Sequence, residues 1–483
     1  MDLSPKDILD RISNRPGWVI FFSSILYLIL GFWQDGVNLD EAFYASVSRN
    51  ISQSGDWLAF TYTDYYFSKF AEHPPLVFWI QAICYKLFGA NDQTARIFGA
   101  LCSIGSIQLL YLIGKDSLGR SHGFVAALIL ILCINFVSIG NSALLDVPMT
   151  FFLLLALWPF AKSNRTGSRL LWSGVGLGLG FLVKGFSAAP MFLAVFLIVV
   201  IWRRELLKTL TPYLAALIAV AIPGAYVLVE SLAGPDFFWG HYFGTQLGEI
   251  VREGAGSQQG ELWNDFAWRL LRYFLPWTIL LIPGIFLAVR NRISALYPTL
   301  MALACFTLVY SYPHYVFIHY FAPVYPLAAL IVAYPIMLFL DKKSVSLGRF
   351  PGYFLVVWVV LFAIVSLSGV RIHHLRNPDI NDLRPTALNI IERSGNDHGL
   401  FLNASKIDWE IIALTSWYWD AEILYVTDTD QSPQELIAEH NPGFILTPAS
   451  NGFSSDELSG TGFEELVTTD RLILYARLDI SGR

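Results

Sequence analysis

The feature that most constrains this chain is the recurrence of apolar stretches close to the length of a membrane-crossing helix. Crossing the hydrocarbon core takes roughly 20 apolar residues, with a range of about 17 to 25. Stretches of this kind run near residues 17–34, 94–114, 122–140, 146–161, 169–183, 187–202, 209–231, 268–290, 294–312, 316–340 and 352–370. Composition agrees. Of 483 residues only 14% are charged, against about 25% in soluble domains. Fifteen Trp and 22 Tyr suit the aromatic belts of membrane interfaces. A net charge of -6 without a long basic run argues against nucleic acid as a partner and leaves membrane lipids as the expected surroundings. The four cysteines form no CxxC pattern, so neither a disulfide framework nor a cysteine metal site is indicated.

One segment, LVFWIQAICYKLF at 76–88, is ambiguous because it is short and contains Lys86. Loop charge decides it. If 76–88 lies along the interface, the loops on the N-terminal side are 1–16, 115–121, 162–168, 203–208, 290–293 and 341–351, and they carry Lys6, Arg11, Arg15, Lys115, Arg120, Lys342 and Lys343 among others. The opposite short loops, 141–145 and 313–315, carry neither Lys nor Arg. Basic loops mark the cytoplasm, so this parity is self-consistent and an interfacial 76–88 is preferred. The expectation is about eleven transmembrane helices, with the N-terminus cytoplasmic and interfacial helices in the first outer loop, 35–93.

Beyond about residue 370 the chain becomes polar. RPTALNIIERSG, WEIIALTSWYW and SPQELIAEH read as helices, whereas GLFLNAS, EILYVTD, GFILTPA and RLILYARL read as strands. This predicts a transmembrane domain over 1–370 and a small outer α/β domain over 371–483.

The ionisable residues that lipid does not explain fall on the outer side. Asp40 and Glu41 open the first outer loop, in NLDEAFYASVSRN. Glu72 and His73 precede Pro74-Pro75, Arg96 begins the second span, and Asp146 sits in LLDVPM. Lys184 lies between two spans in LGFLVKGF, His241 stands in DFFWGHYFGTQ, and His314 and His319 flank the start of the tenth span. Each has a plain structural reading: Asn38 and Glu41 suit a helix cap, Asp146 an N-terminus before Pro148, and Lys184 a snorkelling side chain. Together they suggest more, because ionisable groups at membrane depth are costly and tend to line a cavity or pathway. A carboxylate beside an acceptor hydroxyl can act as a general base, and cations can stabilise a phosphate leaving group. A transporter of a lipid-linked saccharide is the alternative, although its coupling residues would be expected near the midplane, on broken helices in repeated halves.

The ordered set DEAFYASVSRN, AEHPPL, TARIFGAL, LLDVPM, GLGFLVKGF, FFWGHYFGTQ, FLPWTILLIPG and YVFIHYFAPVYPLAALI resembles the GT-C glycosyltransferase superfamily. Within it, the chain is similar to bacterial relatives of the protein O-mannosyltransferases and to the lipid A aminoarabinose transferases. The resemblance implies sugar transfer from a polyprenyl-phosphate donor to a lipid, glycan or protein acceptor at the periplasmic face. It implies Asp40 as the essential acid, with Glu41 and Asp146 as further catalytic candidates. His73, Arg96 and Lys184 become candidates for the donor phosphate. Glu72 and His241 are expected to share a divalent metal, which water or donor phosphate would complete. The chain departs from the aminoarabinose pattern at His73, where those enzymes resemble Glu-Lys-Pro-Pro. An arginine expected soon after His241 is also missing, with Gln246 nearby and Arg252 further on.

Overall fold

The computed structural model describes residues 5–32, 36–63, 65–66, 69–162, 167–233, 240, 242, 244, 262–311, 317–368, 378–402, 408–426, 432–451, 458 and 460–477. The chain divides into two compact units. The first comprises Met1–Gln34, Ala71–Ile80 and Gln93–Ile372, and the second Asp35–Phe70, Gln81–Asp92 and His373–Arg483.

The first unit is helical. In chain order its helices, with three that belong wholly or partly to the second unit, are α1 Pro5–Ser13, α2 Pro16–Phe32, α3 Leu39–Ser54 (second unit), α4 Leu76–Phe88 (shared), α5 Asp92–Leu118 (Asp92 in the second unit), α6 Arg120–Ile131 and α7 Ile134–Gly140. There follow α8 Asp146–Leu157, α9 Leu171–Lys184, α10 Ala189–Trp202, α11 Thr211–Ala233, α12 Leu262–Tyr273 and α13 Thr278–Arg290. The last three are α14 Tyr297–Tyr310, α15 Val324–Lys342 and α16 Phe350–Ser368. Over the described residues, each of the expected apolar stretches falls largely on helix. Among the described residues, four stretches (92–118, 168–202, 211–233 and 324–342) are long and apolar enough to cross a membrane alone. The pair α6 and α7, bent by 71°, makes a fifth, and the remaining apolar helices are shorter. Helix α4, at 13 residues, is only about 20 Å long, less than the roughly 30 Å hydrocarbon core. This is a multi-pass helical membrane protein. Helix α15 marks the middle of the bundle, buried on all sides from Val324 to Tyr334.

Helix α9 sets the geometry that matters below. A β-carbon on Gly176 would lie 2.4 Å from the Phe152 carbonyl oxygen on α8, so only glycine lets the two backbones approach. Nearby, the Ser173 hydroxyl donates to the Ala156 carbonyl oxygen at 2.7 Å. Position 173 faces 156 and position 176 faces 152, so the helices run antiparallel. Continued along both helices, that register brings the end of α9, Lys184, opposite the start of α8, Asp146.

In the second unit, α17 Pro378–Ser394, α18 Trp409–Trp419 and α19 Pro433–His440 accompany a five-stranded sheet. Its strands are β1 His398–Phe401, β2 Glu422–Tyr425, β3 Phe444–Pro448, β4 Phe463–Thr468 and β5 Leu472–Arg477, in the order β2-β1-β3-β5-β4. Strand β1 runs parallel to β2 and β3, with α18 and α19 in the crossovers, while β5 pairs antiparallel with β3 and β4. Helix α19 starts with a capping box between Ser432 and Glu435. The four expected strands are present. The fifth, β4, lies on the edge, where Glu464 and Glu465 obscure the apolar alternation but protect against edge pairing.

Candidate functional site

The antiparallel register of α8 and α9 creates a buried ion pair. The Lys184 ammonium donates to the Asp146 carboxylate at 2.7 Å, with side-chain exposures of 6% and 2%. Asp146 is the first residue of α8, where the unpaired backbone N–H groups and the helix dipole favour a negative charge. Lys184 is the last residue of α9. The next residue, Gly185, breaks the helix with φ 57°, and a β-carbon there would sit 1.6 Å from the Tyr242 hydroxyl. Glycine is required on both counts. Tyr242 stacks on Phe186 at 5.6 Å, and its hydroxyl accepts from the Phe186 N–H at 3.1 Å. The turn that ends α9 is therefore held from outside.

Aromatic rings close the pair in. The Lys184 nitrogen stands 4.6 Å from the centre of the Tyr320 ring, a cation–π distance. His319 packs edge-on against Tyr320 at 4.8 Å and lies flat on Phe317 at 5.4 Å. The Tyr310 hydroxyl donates to the Ser187 carbonyl oxygen at 2.8 Å, tying α14 to the same turn.

His73 belongs to this neighbourhood. Burial first, and then the charges of Lys184 and His319, push its pKa down to about 3. Its imidazole is therefore neutral near pH 7, able to donate or accept a hydrogen bond but not to bring a charge. Glu72, beside it, acts on Tyr242: burial, with the Glu72 carboxylate adding to it, raises the phenol to about 12 against the lowering effect of the Phe186 N–H. Arg96 is buried in the second turn of α5.

Asp40 and Glu41 stand in the second unit, on the first turn of α3, and differ in environment. Glu41 is buried; its N–H donates to the Asn38 side-chain oxygen at 3.0 Å, and the Asn38 amide donates back to its carboxylate at 2.6 Å. That is a cap interaction made from both sides. Asp40 is partly exposed and takes no part in that cap. Helix α3 buries Ala42, Ala45, Val47 and Ile51 together with the polar Ser46, Ser48 and Arg49.

The expected metal pair is not completed. His241 lies outside the described residues, as do His314, Gln246 and Arg252. Among the described residues no three His, Cys, Asp or Glu side chains converge to hold a metal ion. Among the described residues around Glu72 none completes a metal site. Sequence reasoning missed Tyr320, Tyr310 and Tyr242, because in a chain with 22 tyrosines nothing local separates a site ring from a packing ring.

A family model for dolichyl-phosphate-mannose-protein mannosyltransferase matches residues 72–226, a span that includes Glu72, His73, Arg96, Asp146 and Lys184. An undecaprenyl phosphate-α-4-amino-4-deoxy-L-arabinose arabinosyl transferase from Proteus mirabilis is 27% identical over 323 residues, 62% of this chain and 55% of that protein. One from Pseudomonas fluorescens is 31% identical over 258 residues, 51% of this chain and 43% of its own length. The chain thus spans about half the length of these curated relatives. Among solved structures, ArnT from Cupriavidus metallidurans bound to undecaprenyl phosphate superposes with a TM-score of 0.70 at 16% identity, covering 97% of this chain and 99% of that one. The archaeal oligosaccharyltransferase AglB from Archaeoglobus fulgidus gives 0.52 at 11% identity, covering 89% and 69%.

The fold is the one shared with these multi-pass membrane enzymes. In sequence the chain is similar to the aminoarabinose transferases and the protein mannosyltransferases, as its ordered motifs suggest.

Proposed function

We propose that this protein transfers a sugar from a polyprenyl-phosphate donor to an acceptor on the outer face of a bacterial inner membrane. One observation carries the reading: a buried lysine–aspartate pair, ringed by His73, His319 and Tyr320, lies at the ends of α8 and α9. By the distribution of basic loops, that end of the bundle is the outer one, with the N-terminus in the cytoplasm. A cation held in such a setting suits a lipid phosphate better than a free solute. The similar proteins are named for undecaprenyl or dolichyl phosphate sugars, which supports the same donor class here.

In this reading Asp40 takes the proton from the acceptor hydroxyl as its oxygen bonds to the anomeric carbon. The bond from that carbon to the phosphate oxygen breaks, and the polyprenyl phosphate leaves with the electron pair. Lys184, with Arg96, offsets the charge gathering on the phosphate. Asp146 holds Lys184 in place and shields its charge when no donor is bound. His73, neutral, contributes a hydrogen bond rather than a charge. Glu41 serves the helix and not the proton.

Purified protein in lipid nanodiscs, given a radiolabelled polyprenyl-phosphate sugar and an envelope-lipid extract, is expected to release polyprenyl phosphate and label an acceptor. Donor that stays intact, but crosses the bilayer of liposomes only when the protein is present, would overturn transfer in favour of transport.

A further inference from the structure

The second unit joins the loop carrying Asp40 to the C-terminal α/β domain through a buried hydrogen-bond network at the foot of α3. The Val37 N–H donates to the Tyr418 hydroxyl at 3.1 Å, and that hydroxyl donates to the Asp92 carboxylate at 3.1 Å. Asp92 also accepts from the Gly36 N–H at 2.8 Å and from the Trp417 indole N–H at 2.8 Å. One carboxylate and one phenol therefore fix the two residues that precede the Asn38 cap. Val37 is 3% exposed, so its N–H has no water to turn to.

A second clamp lies further along the same helix. The Arg49 guanidinium donates to the carbonyl oxygens of Trp417 at 3.0 Å and Ser416 at 2.9 Å, and pairs with Asp420 at 2.7 Å. Those carbonyls belong to the last turn of α18, where no helical N–H remains to satisfy them. Arg49 thus caps α18 while α18 holds α3. A rigid helix pinned at its start and again at Arg49 can neither slide nor roll. The direction of a side chain on its first turn is fixed with it.

We propose that Tyr418 and Asp92 are positioning residues for Asp40, and that through them α18 of the C-terminal domain sets the aim of the acid. This rests on Asp40 acting as the base, as described above. It also gives the C-terminal domain a part in the reaction without contact with the reacting atoms.

Tyr418→Phe tests the inference, because it keeps the ring beneath the Arg384 guanidinium, 5.3 Å from its centre, and removes only the hydroxyl. Two readouts are needed. Hydrogen exchange of the amides across 36–42 is expected to quicken while β1 and β3 keep their protection. In transfer assays kcat is expected to fall about 10- to 100-fold, as for a reacting group displaced by about 1 Å, with KM for the donor unchanged. On an Asp40→Asn background Tyr418→Phe should have no further effect on the residual rate. Unchanged exchange at 36–42 overturns the inference whatever the rate does. Quickened exchange with wild-type kcat, while Asp40→Asn abolishes transfer, overturns it too and leaves the base assignment standing. Wild-type transfer by Asp40→Asn removes the base assignment and the inference with it. That failure is recognisable because Tyr418→Phe would still loosen 36–42.

Discussion

Breaking the Lys184–Asp146 pair from each side should separate its part in stability from its part in donor binding. Removing one partner of a buried ion pair typically costs about 3–5 kcal/mol, because the other charge is left without compensation. Here the two orphans differ. In Asp146→Asn the ammonium keeps Tyr320 at 4.6 Å, a contact worth about 0.5–2 kcal/mol. In Lys184→Met the carboxylate keeps its place on the first turn of α8, where the helix dipole offsets up to about 2 kcal/mol in partly buried settings. Each single change should therefore cost about 2–4 kcal/mol of resistance to unfolding in detergent. The double variant should cost clearly less than the sum of the two, with a coupling of 1 kcal/mol or more. Donor binding should split the two variants in the opposite sense. Lys184→Met removes the charge that meets the phosphate, so the donor Kd should rise at least tenfold. Asp146→Asn removes the competitor for that ammonium, so the Kd should hold or fall even as the protein becomes less stable. The measurements are denaturant titration of all four proteins in one detergent and equilibrium binding of a polyprenyl-phosphate sugar. Additive stabilities, or a Kd raised equally by both substitutions, would refute the assignment of Asp146 as the keeper of Lys184.

Three further outcomes are expected. Asp40→Asn should lower the rate of transfer by about 10²–10⁴-fold with donor binding retained; Glu41→Gln, which keeps the exchange with Asn38, should change the rate only slightly, and equal mild losses would reduce the pair to a helix start. The imidazole of His73 holds a pKa near 3 in the folded protein against about 6.5 unfolded, so the unfolded chain takes the proton first; its contribution to stability is present above pH 6.5 and is lost as pH falls toward 3. Melting curves in detergent should show His73→Gln less acid-sensitive than the parent across that window, and parallel profiles would contradict it. Cysteine labelling in intact cells should find Asn91 on the outer side and Lys342 on the inner, and a cytoplasmic Asn91 would mean that residues 76–88 cross the bilayer after all.

How much of this was legible in the sequence depended on the range of the interaction. Periodicity and capping are local, and they located the apolar helices, α17 to α19 and four of the five strands. Strand β4 escaped because an edge strand needs only one apolar face and advertises charge on the other. The Lys184–Asp146 pair was half legible. Both residues stood out as ionisable groups at outer helix ends, but nothing in GLGFLVKGF or LLDVPM says that they meet. That follows from the register of α8 on α9, which the glycines of α9 allow and Ser173 pins to Ala156. Read locally, Asp146 is a catalytic candidate and Lys184 a phosphate candidate, and the register joins the two as an ion pair.

The same limit applies to the partition of the chain. A change of composition near residue 370 suggests a self-contained C-terminal domain, because composition is read along the chain. The folded protein groups those residues with 35–70 and 81–92 instead, through contacts such as Arg49 to Ser416 and Val37 to Tyr418 that no window of sequence can contain. Such contacts also explain why an arginine in DEAFYASVSRN, which reads as a solvent-facing charge on an interfacial helix, is 8% exposed. Burying a guanidinium is costly unless its donors are matched. Arg49 matches its two terminal nitrogens with two carbonyl oxygens at a helix end and the Asp420 carboxylate, and its guanidinium carbon lies 5.6 Å from the centre of the Trp417 ring. So the loop that carries the acid and the residues that end the chain belong to one compact unit. Deleting the residues after 370 would expose Arg49 and Val37 together, and the loss of activity that followed would reflect a disordered α3 rather than a missing substrate contact.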